Sequence, residues 1–102
     1  MIRSKKGVKL TDLKSQIVFA LINLNEIWAL YFERDLWVTS VDDSVHGKGS
    51  LHPDGFALDI RTRDLSDLDK DLAVRKIKEI LGEEFDVVLE SDHIHIEYDP
   101  KG

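Results

Sequence analysis

The sequence predicts an α+β fold, a small, mainly antiparallel sheet of about four strands packed against two helices. Three observations lead there. Apolar residues recur at spacings of three and four in two stretches, residues 13–28 and 68–81, which is the stripe of an amphipathic helix. Residues 56–62 and 93–98 alternate apolar with polar, the period of a half-buried strand. Between residues 85–89, also rich in β-formers, and residues 93–98 lies Ser91-Asp92, a pair suited to a tight hairpin turn.

Taken in order, residues 1–10 read as a basic, mobile arm, with Lys5, Lys6 and Lys9 solvated. A helix is predicted from Thr11, which can cap it, with Leu13, Ile17, Leu21, Leu24 and Trp28 on one face. Residues 33–35 break that pattern. Leu36, Trp37, Val38 and Thr39 then form a short strand, and both tryptophans are expected in the core. Residues 42–55 make a polar loop with three glycines and a proline, of a length that is usually functional. In the next strand Phe56, Leu58 and Ile60 share one side, and Ala57, Asp59 and Arg61 the other. Ser66 with Asp69 three residues later resembles a capping arrangement. The helix it opens is expected to bury Leu68, Leu72, Ile77, Ile80 and Leu81 and to end at Gly82. The charged run at residues 64–71 is then its exposed face and acidic first turn. In the last strand Ile94, Ile96 and Tyr98 point inward, and His93, His95 and Glu97 outward.

Composition narrows the function. With 102 residues, 42% of them apolar, the chain is expected to be one domain with a thin stability margin that a bound metal would widen. Cysteine is absent, so disulfides and thiolate metal sites are excluded, and a metal must be held by His, Asp or Glu. A net charge of −6 argues against long nucleic acid as a partner. The apolar stretch from Ile17 contains Asn23, Asn25 and Glu26, too polar for a signal-peptide core and too short for a transmembrane segment.

Two segments carry the chemistry. One is Ser50-Leu51-His52-Pro53-Asp54-Gly55-Phe56-Ala57-Leu58-Asp59, the other Glu90-Ser91-Asp92-His93-Ile94-His95-Ile96-Glu97. Three of the four histidines lie in them, and His46 is left as a loop residue. A turn at Pro53-Asp54-Gly55 brings His52 back toward Asp59. If the strands carrying Asp59 and His95 are neighbours, His52, Asp59 and His95 can hold one ion. Two imidazoles and a carboxylate match zinc and leave a fourth position for water. Water on zinc has its pKa lowered to about 7, and it needs a base nearby. Asp92 at the turn is one candidate and Glu90 the other, while His93 can donate to an oxyanion or hold a carboxylate in place. Ser50 can hydrogen-bond substrate.

These residues resemble a known family. Ser-x-His-x-x-Gly-x-Ala-x-Asp is present as Ser50, His52, Gly55, Ala57 and Asp59, and Asp-x-x-His with an embedded His-x-His as Asp92, His93 and His95. The pattern is similar to the zinc D-alanyl-D-alanine carboxypeptidases and L-alanyl-D-glutamate endopeptidases of bacteria and phages, and to the hedgehog signalling domain that shares their fold. The resemblance implies a hedgehog/D,D-peptidase-like fold over residues 36–98. It also implies Zn2+ on His52, Asp59 and His95, with Asp92 as general base (Glu90 on the hedgehog-like alignment). The implied reaction is hydrolysis of peptide bonds in peptidoglycan stem peptides, as in a phage endolysin. Such a protein is made in the cytoplasm and acts on the wall if released. The family's Ser-Gly-Tyr-Arg stretch has no counterpart, because Thr39-Ser40-Val41 runs into Asp42-Asp43. Lys48, Arg61 and Arg63 are the cations nearby in sequence that could serve instead. A zinc-stabilised binding module without the reaction is the alternative.

Overall fold

The computed structural model describes residues 1–11, 13–42 and 56–99, and within these the side chains of Asp42 and Phe56 are not described. The described elements are β1 (Ile2–Ser4), α1 (Ser15–Ile27), β2 (Leu36–Asp42), β3 (Phe56–Arg61), α2 (Asp67–Leu81), β4 (Phe85–Leu89) and β5 (His93–Tyr98). They form a five-stranded sheet in the order β1-β2-β3-β5-β4, antiparallel except where β1 runs parallel to β2. The fold is α+β, with two helices as expected and one strand more. That strand comes from the N-terminal segment read above as an arm. It is held by Leu36 N–H donating to the Met1 carbonyl, by Lys5 N–H donating to the Val38 carbonyl, and by Arg3 on Asp35.

One face of the sheet makes the core. Leu36, Val38, Leu58, Ile60, Val87, Ile94 and Ile96 are buried there with Ile17, Ala20, Leu24 and Ile27 of α1 and Ala73 and Ile77 of α2. Each fully buried branched side chain contributes about 1.5–3 kcal/mol, so this layer holds the sheet to the helices. Trp28 is buried as expected. It meets Phe32 edge-on within a π-helical turn, Trp28–Phe32, that extends α1 and ends at Glu33 in the left-handed region.

Two helix expectations need correction. α1 starts at Ser15, not Thr11. Lys14 is the cap residue, without a side-chain bond, and its extended backbone offers a carbonyl to the N–H groups of Ile17 and Val18. α2 does open on Ser66, whose Oγ accepts from Asp69 N–H at 3.1 Å, with Asp67 and Asp69 in the first turn. Its buried stripe is Ala73, Ile77 and Leu81, whereas Leu68 is 82% and Ile80 43% exposed. The stripe at Ala73, Ile77 and Leu81 faces the core, so Leu68 and Ile80 fall outside the contact. Gly82 follows with a φ of 79°, a backbone region that favours glycine. Among the described residues, no helix is long and apolar enough to cross a membrane.

Candidate metal centre

Among the described residues no helix covers the opposite face of the sheet, and period-two alternation puts the polar residues of β3 and β5 on it. Asp59 in β3 stands directly across from His95 in β5, and Arg61 across from His93. The Asp59–His95 pair is therefore set by register, and their side chains meet with His95 Nδ1 2.8 Å from Asp59 Oδ1. β2 contributes from the other side. Its register slips between Val38 and Ser40, a bulge that leaves Thr39 Oγ1 free to donate to the Asp59 backbone carbonyl at 3.3 Å.

Around this pair acids and imidazoles alternate. Asp92 Oδ1 lies 2.7 Å from His93 Nδ1, and His93 Nε2 lies 3.7 Å from Asp59 Oδ1. On the far side His95 Nε2 lies 3.6 Å from Glu97 Oε1. The electrostatics follow from these contacts. Burial disfavours the charged form of His95, but Asp59 and then Glu97, by hydrogen bond and charge, outweigh it and raise the His95 pKa above its ordinary 6.5. The hydrogen bond from His93, reinforced by its charge, pulls the Asp92 pKa below the usual carboxylate value.

The sequence-predicted site residues divide into four groups. Asp59 and His95 are brought together. Asp92 reaches the pair through His93. Its own side chain is 76% exposed. Glu90 is exposed at the hairpin end, where its backbone N–H donates to the His93 carbonyl at 2.8 Å and closes the turn. His52 and Ser50 lie outside the described residues, as do Lys48 and His46.

The donor set fits a borderline divalent ion. Imidazole nitrogen and carboxylate oxygen are its preferred ligands, and here they are held together by backbone register. Among the described residues no group of three His, Asp or Glu converges as a metal cage. A metal held by Asp59 and His95 would need a third ligand, and His52 is the residue the sequence motif offers.

A cleft of about 460 Å³ opens beside Asp59 and His93. Its wall includes Trp37, Lys5 and Lys6. Trp37 was expected in the core, yet it lies half-buried on the cleft side with the Arg61 guanidinium 4.5 Å from its ring centroid. Leu36 and Val38 point inward, so alternation alone would have turned Trp37 outward. Lys5 and Lys6 also line the cleft, as do Arg61 and Arg63. Only the pairing of β1 with β2 puts the two lysines there, and a three-residue strand has no periodicity to reveal it.

Comparison with protein-family models, with curated proteins and with solved structures returns no match.

Proposed function

We propose that this protein is a zinc metallopeptidase of the hedgehog/D,D-peptidase fold that hydrolyses peptide bonds in peptidoglycan stem or cross-link peptides. The observation that carries the proposal is the Asp59–His95 pair, side chain against side chain at 2.8 Å on the open face of the sheet. The Ser50–Asp59 motif supplies His52 as third ligand. A bound zinc would contribute Lewis acidity and an activated water there. The chain's own residues do the rest. Asp92 and Glu90 are the hairpin carboxylates able to take a proton from attacking water and return it to the leaving amine. His93, between Asp92 and Asp59, orients the first and can stabilise negative charge on the reacting carbonyl. Arg61 and Arg63, in the cleft wall, offer the positive charge that the family draws from its missing arginine.

One observation favours a second reading, a zinc-stabilised binding module. His93 holds the Asp92 carboxyl acidic, and a base is weaker the lower its pKa. A panel of D,D- and L,D-linked stem peptides, assayed with added zinc, separates the two. The peptidase reading expects hydrolysis that the Asp92→Ala, Glu90→Ala double variant loses while still binding zinc. Zinc binding by the wild type without hydrolysis of any peptide in the panel leaves the binding module. If His95→Ala retains zinc as tightly as the wild type, both are wrong.

A further inference from the structure

The cleft beside Asp59 and His93 has a charge opposite to that of the chain. The protein carries a net −6, yet the cleft wall holds Lys5, Lys6, Arg61 and Arg63 against the carboxylates of Asp59 and Asp92. Among the described residues, none of these four cations forms an ion pair. Four cations against two carboxylates leave the described wall of the cleft net positive, a field that attracts an anion.

Their placement is built by the backbone. Lys5 is fixed where its N–H donates to the Val38 carbonyl at 2.9 Å. The chain then turns, with Val8 N–H donating back to the Lys5 carbonyl at 2.9 Å and Gly7 at a φ of 91°. Positive φ at the third residue alone is the signature of a type II turn, which puts Lys6 at its corner. Across the cleft Arg61 lies over the Trp37 ring, and its Nε is buried without a hydrogen-bond partner among the described residues. The indole thus supports the guanidinium from one side, and among the described residues the fork at its tip makes no ion pair.

We infer that this cleft is an anion subsite in which Lys5, Lys6, Arg61 and Arg63 hold a peptide carboxylate, with Trp37 as its apolar wall. The N-terminal segment is then a functional wall of the site and not a solvated arm. The guanidinium fork accepts either anion, and carboxylate is favoured over phosphate because Trp37 lines the same cleft and offers apolar surface to the residue that bears the carboxyl group. The choice of a peptide rests on the peptidase reading above, whereas the cation cluster does not.

The test is binding, without turnover. N-acetyl-alanyl-alanine, its C-terminal amide and inorganic phosphate are titrated into the full chain while amide and indole NMR shifts are followed, once with zinc and once with chelator. The free acid should shift the Trp37 indole and the Lys5 and Lys6 amides in both conditions. The amide should bind about tenfold more weakly, and so should the acid to the Lys5→Glu, Lys6→Glu variant, since each exposed charge is worth up to about fivefold. Arg75→Glu with Lys76→Glu, on the helical layer, makes the same change in net charge and should leave affinity within about twofold. Equal binding of acid and amide, unchanged affinity in the lysine variant, or equal weakening in the control overturns the subsite. Phosphate binding more tightly than the dipeptide overturns the carboxylate assignment. Since no step requires hydrolysis, a subsite that binds in a protein that cleaves nothing rejects the peptidase and keeps the subsite. Cleavage without acid-selective binding does the reverse.

Discussion

Replacing Asp59 by Asn should weaken the fold in a pH-dependent way. Asp59 and Glu97 raise the His95 pKa in the folded protein above its ordinary 6.5. A raised imidazole pKa means the folded state holds the proton more tightly than the unfolded state does. The stabilisation is therefore fully present below about pH 6.5 and is lost as pH rises through the folded value. A hydrogen bond to a charged group is worth about 1.5–3 kcal/mol when well buried. The His95 side chain is 35% and the Asp59 side chain 26% exposed, so solvent screening reduces this to about 1 kcal/mol. In chelator, urea denaturation of wild type and Asp59→Asn should then differ by about 1 kcal/mol more at pH 5.5 than at pH 9. On the metallopeptidase proposal zinc would compete with the same proton, since a metal needs the neutral ring. Below the His95 pKa, zinc affinity of the wild type should fall about tenfold per pH unit, with a proton released on binding. Parallel pH profiles for the two proteins, or a larger loss at pH 9, would refute the coupling of His95 to Asp59.

Two further outcomes concern the scaffold. Ser66→Ala removes the acceptor for Asp69 N–H and should cost about 1 kcal/mol by urea denaturation, with Ser66→Asp close to neutral; a Ser66→Ala variant as stable as the wild type means that the cap contributes nothing. Ile96→Ala empties a fully buried position in β5, between β3 and β4, and should cost about 2–5 kcal/mol. A loss under about 1 kcal/mol by the same measurement would show that the core does not close as described.

Much of the local structure was legible because it depends on residues close in sequence. The alternation of residues 93–98 places Ile94 and Ile96 inside and His93 and His95 outside, and it does so whatever the rest of the chain does. Ser66 and Asp69 announce a helix start for the same reason. Where two local patterns competed, the sequence was a poorer guide. Leu68, Leu72, Ile77, Ile80 and Leu81 describe a plausible apolar face, but a small residue, Ala73, marks the stripe that packs. Thr11 is a good cap residue, yet the helix begins four residues later, where the chain leaves its extended path at Lys14. For Trp37 hydrophobicity favoured the core and alternation favoured the open face, and alternation won.

The sequence by itself determined an α+β chain without thiols, the face on which each strand carries its acids and imidazoles, and the grouping of His52, Asp59 and His95 as a candidate ligand set. Only tertiary structure decided that β3 and β5 are neighbours, so that Asp59 and His95, 36 residues apart, touch. It also decided that residues 1–6 return to the sheet edge and turn a cleft in an acidic protein positive. The physical reason is the range of the interactions. Periodicity and capping act between residues a few positions apart, whereas strand order and register come from backbone pairing between distant segments, which no local pattern encodes.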